Sequence, residues 1–124
     1  KAIESGGYFF EPTVLSCVDA ENPAFHEEIF GPVLSTITVR DFDEAMTVAN
    51  DTVYGLAAGV WTGSVKNAHR AAKAIRAGVV WVNCFDRGLF SVPFGGFKQS
   101  GFGRDKSLHA FDKYTEIKAT WIKL

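Results

Sequence analysis

The chain has 124 residues, of which 47% are hydrophobic and 14% aromatic, enough for one folded domain with an apolar core. Thirteen basic residues against fourteen acidic ones give a net charge of -1, which leaves no positive surface for nucleic acid or an anionic membrane. No apolar stretch has the length of a bilayer span, so we expect a cytoplasmic protein with no membrane contact that binds small molecules or other proteins.

The two cysteines and the first residues also limit the class of protein. Cys17 and Cys84 have no CxxC or Cys/His spacing, so neither a disulfide framework nor a metal site is predicted. The sequence begins at Lys1 without Met and runs directly into Gly6 to Pro12, a pattern that we expect from the interior of a longer protein.

The first part of the chain predicts strands. Aromatic and β-branched residues favour strand from Tyr8 to Phe10 and from Thr13 to Val18, with Pro12 as an interruption. From Val33 to Arg40, β-branched residues occupy both alternating sets of positions, which is typical of a strand buried on both faces.

The hydrophobic period then changes to that of a helix. Apolar residues at i, i+3, i+4 and i+7 predict an amphipathic helix from Phe42 to Ala49. Asp41 with Glu44 three residues later has the pattern of a capping box. Strand character returns from Leu56 to Thr62.

A second helix is predicted to begin after Ser64 and to end before Gly78. Its predicted apolar face consists of Val65, Ala68, Ala72 and Ile75. A short, wholly apolar strand follows from Val79 to Val82. The resulting order β-α-β-α-β predicts an α/β fold, a partial parallel sheet with flanking helices and right-handed crossovers.

The last third combines a glycine-rich loop, a helix and a strand. Asp86 to Gly103 has the composition of a structured loop, Asp105 to Tyr114 that of a helix, and Thr115 to Leu124 the alternation of a terminal strand. The glycines lack the spacing of a phosphate-binding loop. They allow close backbone approach, which would fix Phe90 and Phe94 as walls of an apolar pocket. For the lysine of this loop, Lys98, a solvated position is favoured over binding an anion or capping a carbonyl.

The acidic pair before the predicted second strand allows two interpretations. Burial statistics alone favour a solvated surface for Glu27 and Glu28 and a core position for Phe30. Alternatively, a carboxylate at a strand end can accept both hydrogen bonds of a vicinal diol, as acidic residues do for cofactor ribose, with Phe30 against an adjacent ring.

Four segments occur in the order and approximate spacing of the C-terminal part of the aldehyde dehydrogenase superfamily, and this resemblance spans nearly all of the chain. They are Glu27–Val33, Tyr54–Val60, Trp81–Cys84 and Pro93–Arg104. The resemblance implies that the parent protein is an NAD- or NADP-dependent enzyme that oxidises an aldehyde to its carboxylic acid. Residues 1–114 would be the C-terminal part of the catalytic domain, and residues 115–124 an oligomerisation strand that makes the protein a homo-oligomer.

The same resemblance implies roles for individual residues. Glu28 would hydrogen-bond the nicotinamide ribose hydroxyls, Phe30 would position that moiety, and Phe94 would line the aldehyde pocket. The family's catalytic cysteine, general-base glutamate and Rossmann portion precede the first motif, so the chain holds no catalytic residue and is expected to be inactive alone. Cys84, at the end of an apolar strand, is interpreted as a packed residue rather than a substitute nucleophile.

The substrate class follows from one loop and one helix. The stretch from Val92 to Ala110 is similar to that of bacterial γ-glutamyl-γ-aminobutyraldehyde dehydrogenases, and Asp86 would suit a cationic or polar aldehyde, such as an aminoaldehyde of polyamine catabolism. The alternative is a non-catalytic α/β module that only self-associates. The reading frame upstream of Lys1 separates the two, because a dehydrogenase needs a glycine-rich nucleotide turn and a reactive cysteine there.

Overall fold

The computed structural model describes residues 6–16 and 18–124, and Cys17 therefore lies outside the described residues. The chain divides into two compact units, residues 1–45 and residues 46–124. Each unit contains a two-stranded parallel sheet, which confirms the α/β class and the parallel pairing.

The sheet of the first unit pairs β1 (Thr13–Leu15) with β2 (Val33–Ser35), and Thr13 lies opposite Val33. Both strands are shorter than predicted. Tyr8 to Phe10 forms no strand beyond a single bridge residue, Phe10. A ladder needs a partner at every residue, and here each strand offers the other only three paired positions.

A short helix that the sequence did not predict, α1 (Pro23–His26), connects these two strands. Asn22 caps it, because its side-chain oxygen accepts a hydrogen bond from the backbone N–H of Ala24 at 2.9 Å. Proline suits the first helical position, where no N–H is needed. The hydroxyl of Ser35 donates to the carbonyl oxygen of Ala24 at 3.1 Å, which ties α1 to β2.

The next helix, α2 (Phe42–Asn50), confirms the predicted amphipathic segment. A carboxylate oxygen of Asp41 accepts the backbone N–H of Glu44 at 2.9 Å, as in a capping box. The reciprocal bond is shifted by one residue, since the carboxylate of Glu44 accepts the backbone N–H of Arg40 at 2.6 Å.

The second unit is built on a β-α-β crossover. β3 (Ala57–Val60) pairs with β4 (Val79–Val82), and α3 (Val65–Ala74) connects them. The parallel pairing is divided between two small sheets, because β2 pairs with β1 and β3 pairs with β4. In each sheet the two paired strands follow one another in the order of strands along the chain.

The apolar face of α3 differs from the predicted one by one position. Ala71 is completely buried and Ile75 nearly so, whereas Val65 and Ala72 are exposed. The predicted cap is present, since the hydroxyl of Ser64 accepts the backbone N–H of Asn67 at 3.3 Å. The buried row of this helix thus follows the i, i+4 ridge from Ala71 to Ile75.

The C-terminal segment contains 3-10 rather than α-helix. One such turn spans Lys98–Ser100, and a second helix spans Leu108–Lys113, where an α-helix from Asp105 was expected. Lys106 and Ser107 have positive φ angles of 59° and 52°, which prevents a helix from beginning earlier. Residues 115–124 form no strand, because no strand in the described part of the chain pairs with them.

The buried core is small for a chain of this length. Among the described residues, the buried hydrophobic side chains are Val18, Ala71 and Ile75. Many large apolar side chains are exposed, among them Trp61, Phe102 and Trp121. None of the described helices combines the length and the apolar character that crossing a bilayer requires.

Candidate functional site

The acidic pair lies in the loop between α1 and β2. Glu27 is the C-terminal cap of α1, and its N–H donates to the carbonyl oxygen of Pro23 at 2.8 Å. Glu28 follows in the loop rather than at the strand end that was expected, since β2 begins only at Val33. Its side chain is exposed and bonds to no other described residue, so the carboxylate is available to a ligand.

The aromatic residue of the same loop has a strained backbone. Phe30 has a φ of 50°, and its side chain is 90% exposed. The core position that burial statistics favoured for it is therefore wrong. A left-handed conformation costs a bulky L-residue about 1–2 kcal/mol, and such strain is concentrated at functional sites. Beyond it, the carbonyl oxygen of Pro32 accepts the N–H of Thr13 at 2.8 Å, which anchors this loop to β1.

A pocket of about 140 Å³ lies in the second unit, at β4 and the loop that follows it. Its lining includes Asp86 and Phe94, two of the three residues predicted for the aldehyde pocket. The side chain of the third, Phe90, is 90% exposed and does not line this pocket. Trp81 adds to the apolar wall, and Arg87 and Lys106 add positive charge.

Side chains of β4 and its end fix the first half of the pocket loop. The indole N–H of Trp81 donates to the carbonyl oxygen of Arg87 at 2.7 Å, and its ring lies 5.1 Å from that of Phe85. Asn83 and Asp86 both have a positive φ, so the loop turns sharply directly after the strand. The loop is therefore ordered by specific bonds rather than by burial.

The second half of the pocket is fixed by a backbone bridge. The N–H of Phe94 donates to the carbonyl oxygen of Asp105 at 2.8 Å, and the N–H of Asp105 donates back at 2.7 Å. The N–H of Ser107 donates to the carbonyl oxygen of Phe90 at 2.7 Å. The ammonium of Lys106 is thereby held 5.4 Å from the centre of the Phe94 ring.

Gly55 joins three of the segments that the sequence singled out. Its N–H donates to the hydroxyl of Ser100 at 2.9 Å, and its carbonyl oxygen accepts the N–H groups of Phe97 at 2.8 Å and Gly78 at 3.0 Å. A Cβ at this position would lie 2.6 Å from the carbonyl oxygen of Arg76, so only glycine fits. The start of β3, the start of β4 and the glycine-rich loop therefore form one bonded assembly.

Lys98 is exposed, as expected, and it also has the capping role that the sequence favoured less. Its ammonium donates to the carbonyl oxygens of Asn50 at 2.8 Å and Thr52 at 2.9 Å. These carbonyls lie at the end of α2, where the helix itself supplies no donors.

The remaining candidates provide no second site. Cys84 is half-buried and forms no disulfide with any described residue. Within residues 6–16 and 18–124, no three His, Cys, Asp or Glu side chains are grouped to hold a metal ion. His109 lies 3.5 Å from the carboxylate of Asp112, one turn away on the same helix.

Three residues of the pocket and its loop escaped the sequence analysis. The turn at Asn83 could have been predicted, because asparagine directly after a strand tolerates a left-handed φ. Arg87 and Lys106 carried none, since a charged residue in a polar loop is usually solvated.

All four segments lie within a region that matches a known protein family. The sequence profile of the aldehyde dehydrogenase family matches residues 1–120. An aminoacetaldehyde dehydrogenase of Pseudomonas aeruginosa is 57% identical over 117 residues, which are 94% of this chain and 24% of that protein. The NADP/NAD-dependent aldehyde dehydrogenase PuuC of Escherichia coli is 50% identical over 113 residues, 91% of this chain and 23% of that protein.

A solved structure shares both the fold and the sequence. The crystal structure of an indole-3-acetaldehyde dehydrogenase in complex with NAD+ superposes with a TM-score of 0.88 and 60% identity over 96% of this chain and 24% of that one. The chain belongs to the aldehyde dehydrogenase family, which confirms the resemblance that its four motifs indicated. It spans about a quarter of the length of these relatives.

Proposed function

We propose that this chain is the C-terminal part of an NAD- or NADP-dependent aldehyde dehydrogenase that oxidises an aldehyde to its carboxylic acid. Residues 1–114 would complete its catalytic domain, and residues 115–124 would mediate homo-oligomerisation. The observation that carries the proposal is the exposed loop with a free carboxylate, Glu28, beside a strained aromatic residue, Phe30, in a chain of this family.

The residues of this loop fit a nicotinamide ribose. The carboxylate of Glu28 has no partner among the described residues and can accept hydrogen bonds from both ribose hydroxyls. The exposed ring of Phe30 offers a flat apolar surface to the adjacent moiety. When bound, the cofactor would accept the hydride of the aldehyde. The part of these two residues is to hold and orient it.

The pocket of the second unit is proposed to hold the tail of the aldehyde, with Asp86 and Phe94 in its lining. Phe90, whose exposed side chain lies outside this lining, is proposed as a further substrate-binding residue. Its apolar wall suits a carbon chain, and the carboxylate of Asp86 suits an amino group. The name of the Pseudomonas aeruginosa relative supports an aminoaldehyde. The chain alone should be inactive. The reaction requires a nucleophilic cysteine, and neither Cys17 nor Cys84 is proposed to be that residue.

The small buried core supports a role within a larger protein. Large exposed side chains such as Trp61 and Phe102 would be covered by further parts of the enzyme. We place that enzyme in the cytoplasm, with a small aldehyde rather than nucleic acid as its partner, in line with the net charge of -1.

The adjacent carboxylates allow a matched test in the complete dehydrogenase that contains this chain. Glu28→Gln should raise the dissociation constant of the cofactor about tenfold or more, since a hydrogen bond to a charged group contributes about 1.5–3 kcal/mol. Hydride transfer should slow as well, because the nicotinamide is held less firmly. Cofactor titration by fluorescence and steady-state kinetics measure the two effects.

Glu27→Gln is the control, because it removes the same charge from the neighbouring exposed position. It should leave cofactor affinity unchanged. Both variants should keep the thermal midpoint of the unmodified enzyme, since neither carboxylate bonds to another described residue. Equal effects of the two substitutions on cofactor affinity would refute the role proposed for Glu28.

A further inference from the structure

The pocket that Phe94 lines contains more charged side chains than binding an amino group requires. Three charged side chains line it, namely Asp86, Arg87 and Lys106. Two positive charges against one negative charge leave the pocket with one excess positive charge. The guanidinium of Arg87 and the ammonium of Lys106 make no hydrogen bond or ion pair with another residue in the described part of the chain, so their donors remain open to a ligand.

The position of Lys106 is set by its backbone and by two contacts. Lys106 lines the pocket with a backbone φ of 59°, and the bridge between Phe94 and Asp105 fixes the residue before it. Its ammonium lies over the Phe94 ring and would be 3.7 Å from a Cβ placed on Gly88. The cation therefore lies over the Phe94 ring and close to the backbone of the pocket loop at Gly88.

On the basis of the proposed function, we infer that Lys106 and Arg87 form a subsite for a carboxylate on the tail of the aldehyde. Both side chains only donate hydrogen bonds and a carboxylate only accepts them, so the two kinds of group are complementary. The apolar wall holds the carbon chain that precedes the carboxylate. Asp86 in the same pocket receives an amino group, so an aldehyde that carries both groups would use all three charged side chains.

The size of the pocket sets the length of that tail. Its volume is about 140 Å³, so the pocket is small. A short tail that ends in a carboxylate suits a pocket of this size.

Three aldehydes built on the same four-carbon chain test the subsite in the complete enzyme. They are 4-oxobutanoate, which is an anion, butanal, which is neutral, and 4-(trimethylammonio)butanal, which is a cation. Lys106→Met keeps an unbranched side chain one atom shorter than lysine and removes its charge. It should lower kcat/KM for 4-oxobutanoate about tenfold, the size of one lost charge-assisted hydrogen bond, and raise it for the cationic aldehyde. The value for butanal should stay the same.

Two further variants serve as controls. Lys106→Arg retains the charge and should retain the preference for 4-oxobutanoate. Lys66→Met removes one positive charge from the exposed face of α3 and should leave all three substrates unaffected. A uniform loss with all three aldehydes in Lys106→Met would overturn the proposal, because it would show that this residue only supports the Phe94 ring.

Binding without turnover separates this inference from the proposed function. Butanedioate, the acid that corresponds to 4-oxobutanoate, should bind the unmodified enzyme about tenfold more tightly than Lys106→Met in calorimetry. Failure of the enzyme to oxidise any aldehyde would contradict the proposed function, while equal butanedioate binding by the two proteins would contradict the carboxylate subsite.

Discussion

The side-chain amide of Asn83 replaces a strand residue opposite Thr62. Its oxygen accepts the backbone N–H of Thr62 at 2.8 Å, and its nitrogen donates to the carbonyl oxygen of Thr62 at 3.0 Å. The backbone N–H of Asn83 donates to Val60 at 2.8 Å, and its φ is 54°. The ladder between β3 and β4 is thus extended by one side chain at the point where the chain turns into the pocket loop.

We expect Asn83→Ala to destabilise this turn by about 2 kcal/mol, because two hydrogen bonds are lost and alanine tolerates the left-handed φ less well than asparagine. Asn83→Gly loses the same bonds without the steric cost, so it should be the milder change. Thermal midpoints of the complete enzyme measure both. A midpoint for Asn83→Ala equal to that of the unmodified enzyme would show that the turn does not depend on this amide.

Removal of the Lys98 ammonium should weaken the end of α2. Lys98→Met leaves the carbonyl oxygens of Asn50 and Thr52 without their charged donor, at an expected cost of about 1–2 kcal/mol. Lys66→Met is the matched control, since this lysine lies on the exposed face of α3. Thermal unfolding of both variants gives the comparison, and similar midpoints would contradict a capping role for Lys98.

The contact between Arg40 and Glu44 predicts an acid-sensitive helix start. The hydrogen bond from the Arg40 side chain, followed by that from its backbone, holds the pKa of Glu44 below the ordinary value of 4.5. A carboxyl whose pKa is lower in the folded state contributes stability above the unfolded pKa and loses it as the pH falls through the folded pKa. The contribution is small, because the pair is solvent-exposed and screened.

We therefore expect Glu44→Gln to lower the thermal midpoint slightly at pH 7 and to have no effect once the pH is well below 4.5. High salt should reduce the difference at pH 7. The pH dependence of the midpoint in both proteins is the measurement. An equal difference at neutral and acid pH would rule out the carboxylate charge as its cause.

Deletion of Thr115–Leu124 should reduce the oligomeric mass of the complete enzyme. The tail has no strand partner among residues 6–16 and 18–124, and Ile117 and Trp121 on its apolar side are fully or almost fully exposed, so another subunit is expected to cover them. Lys118→Ala, on the opposite side of the alternation, should leave the mass unchanged. Sedimentation of the three proteins tests this, and an identical mass after the deletion would exclude the tail from the interface.

The sequence by itself determined the elements whose signals are local. The period of α2, its cap at Asp41, the cap of α3 at Ser64 and the bounds of β4 all follow from residues a few positions apart. The order of strands and helices was sufficient for the α/β class and parallel pairing. The ordered motifs, each a short local pattern, were sufficient for the family.

Only the tertiary structure decided which strands pair and which charges meet. β2 pairs with β1 because α1 returns the chain to it, and no pattern within β2 encodes that partner. Lys98 caps the carbonyl oxygens of Asn50 and Thr52, which lie 48 and 46 positions before it in sequence. Lys106 lines the pocket and has a positive φ, which lysine rarely adopts. Such features depend on contacts between distant segments, which force a backbone angle or supply a partner that the residue type alone does not predict.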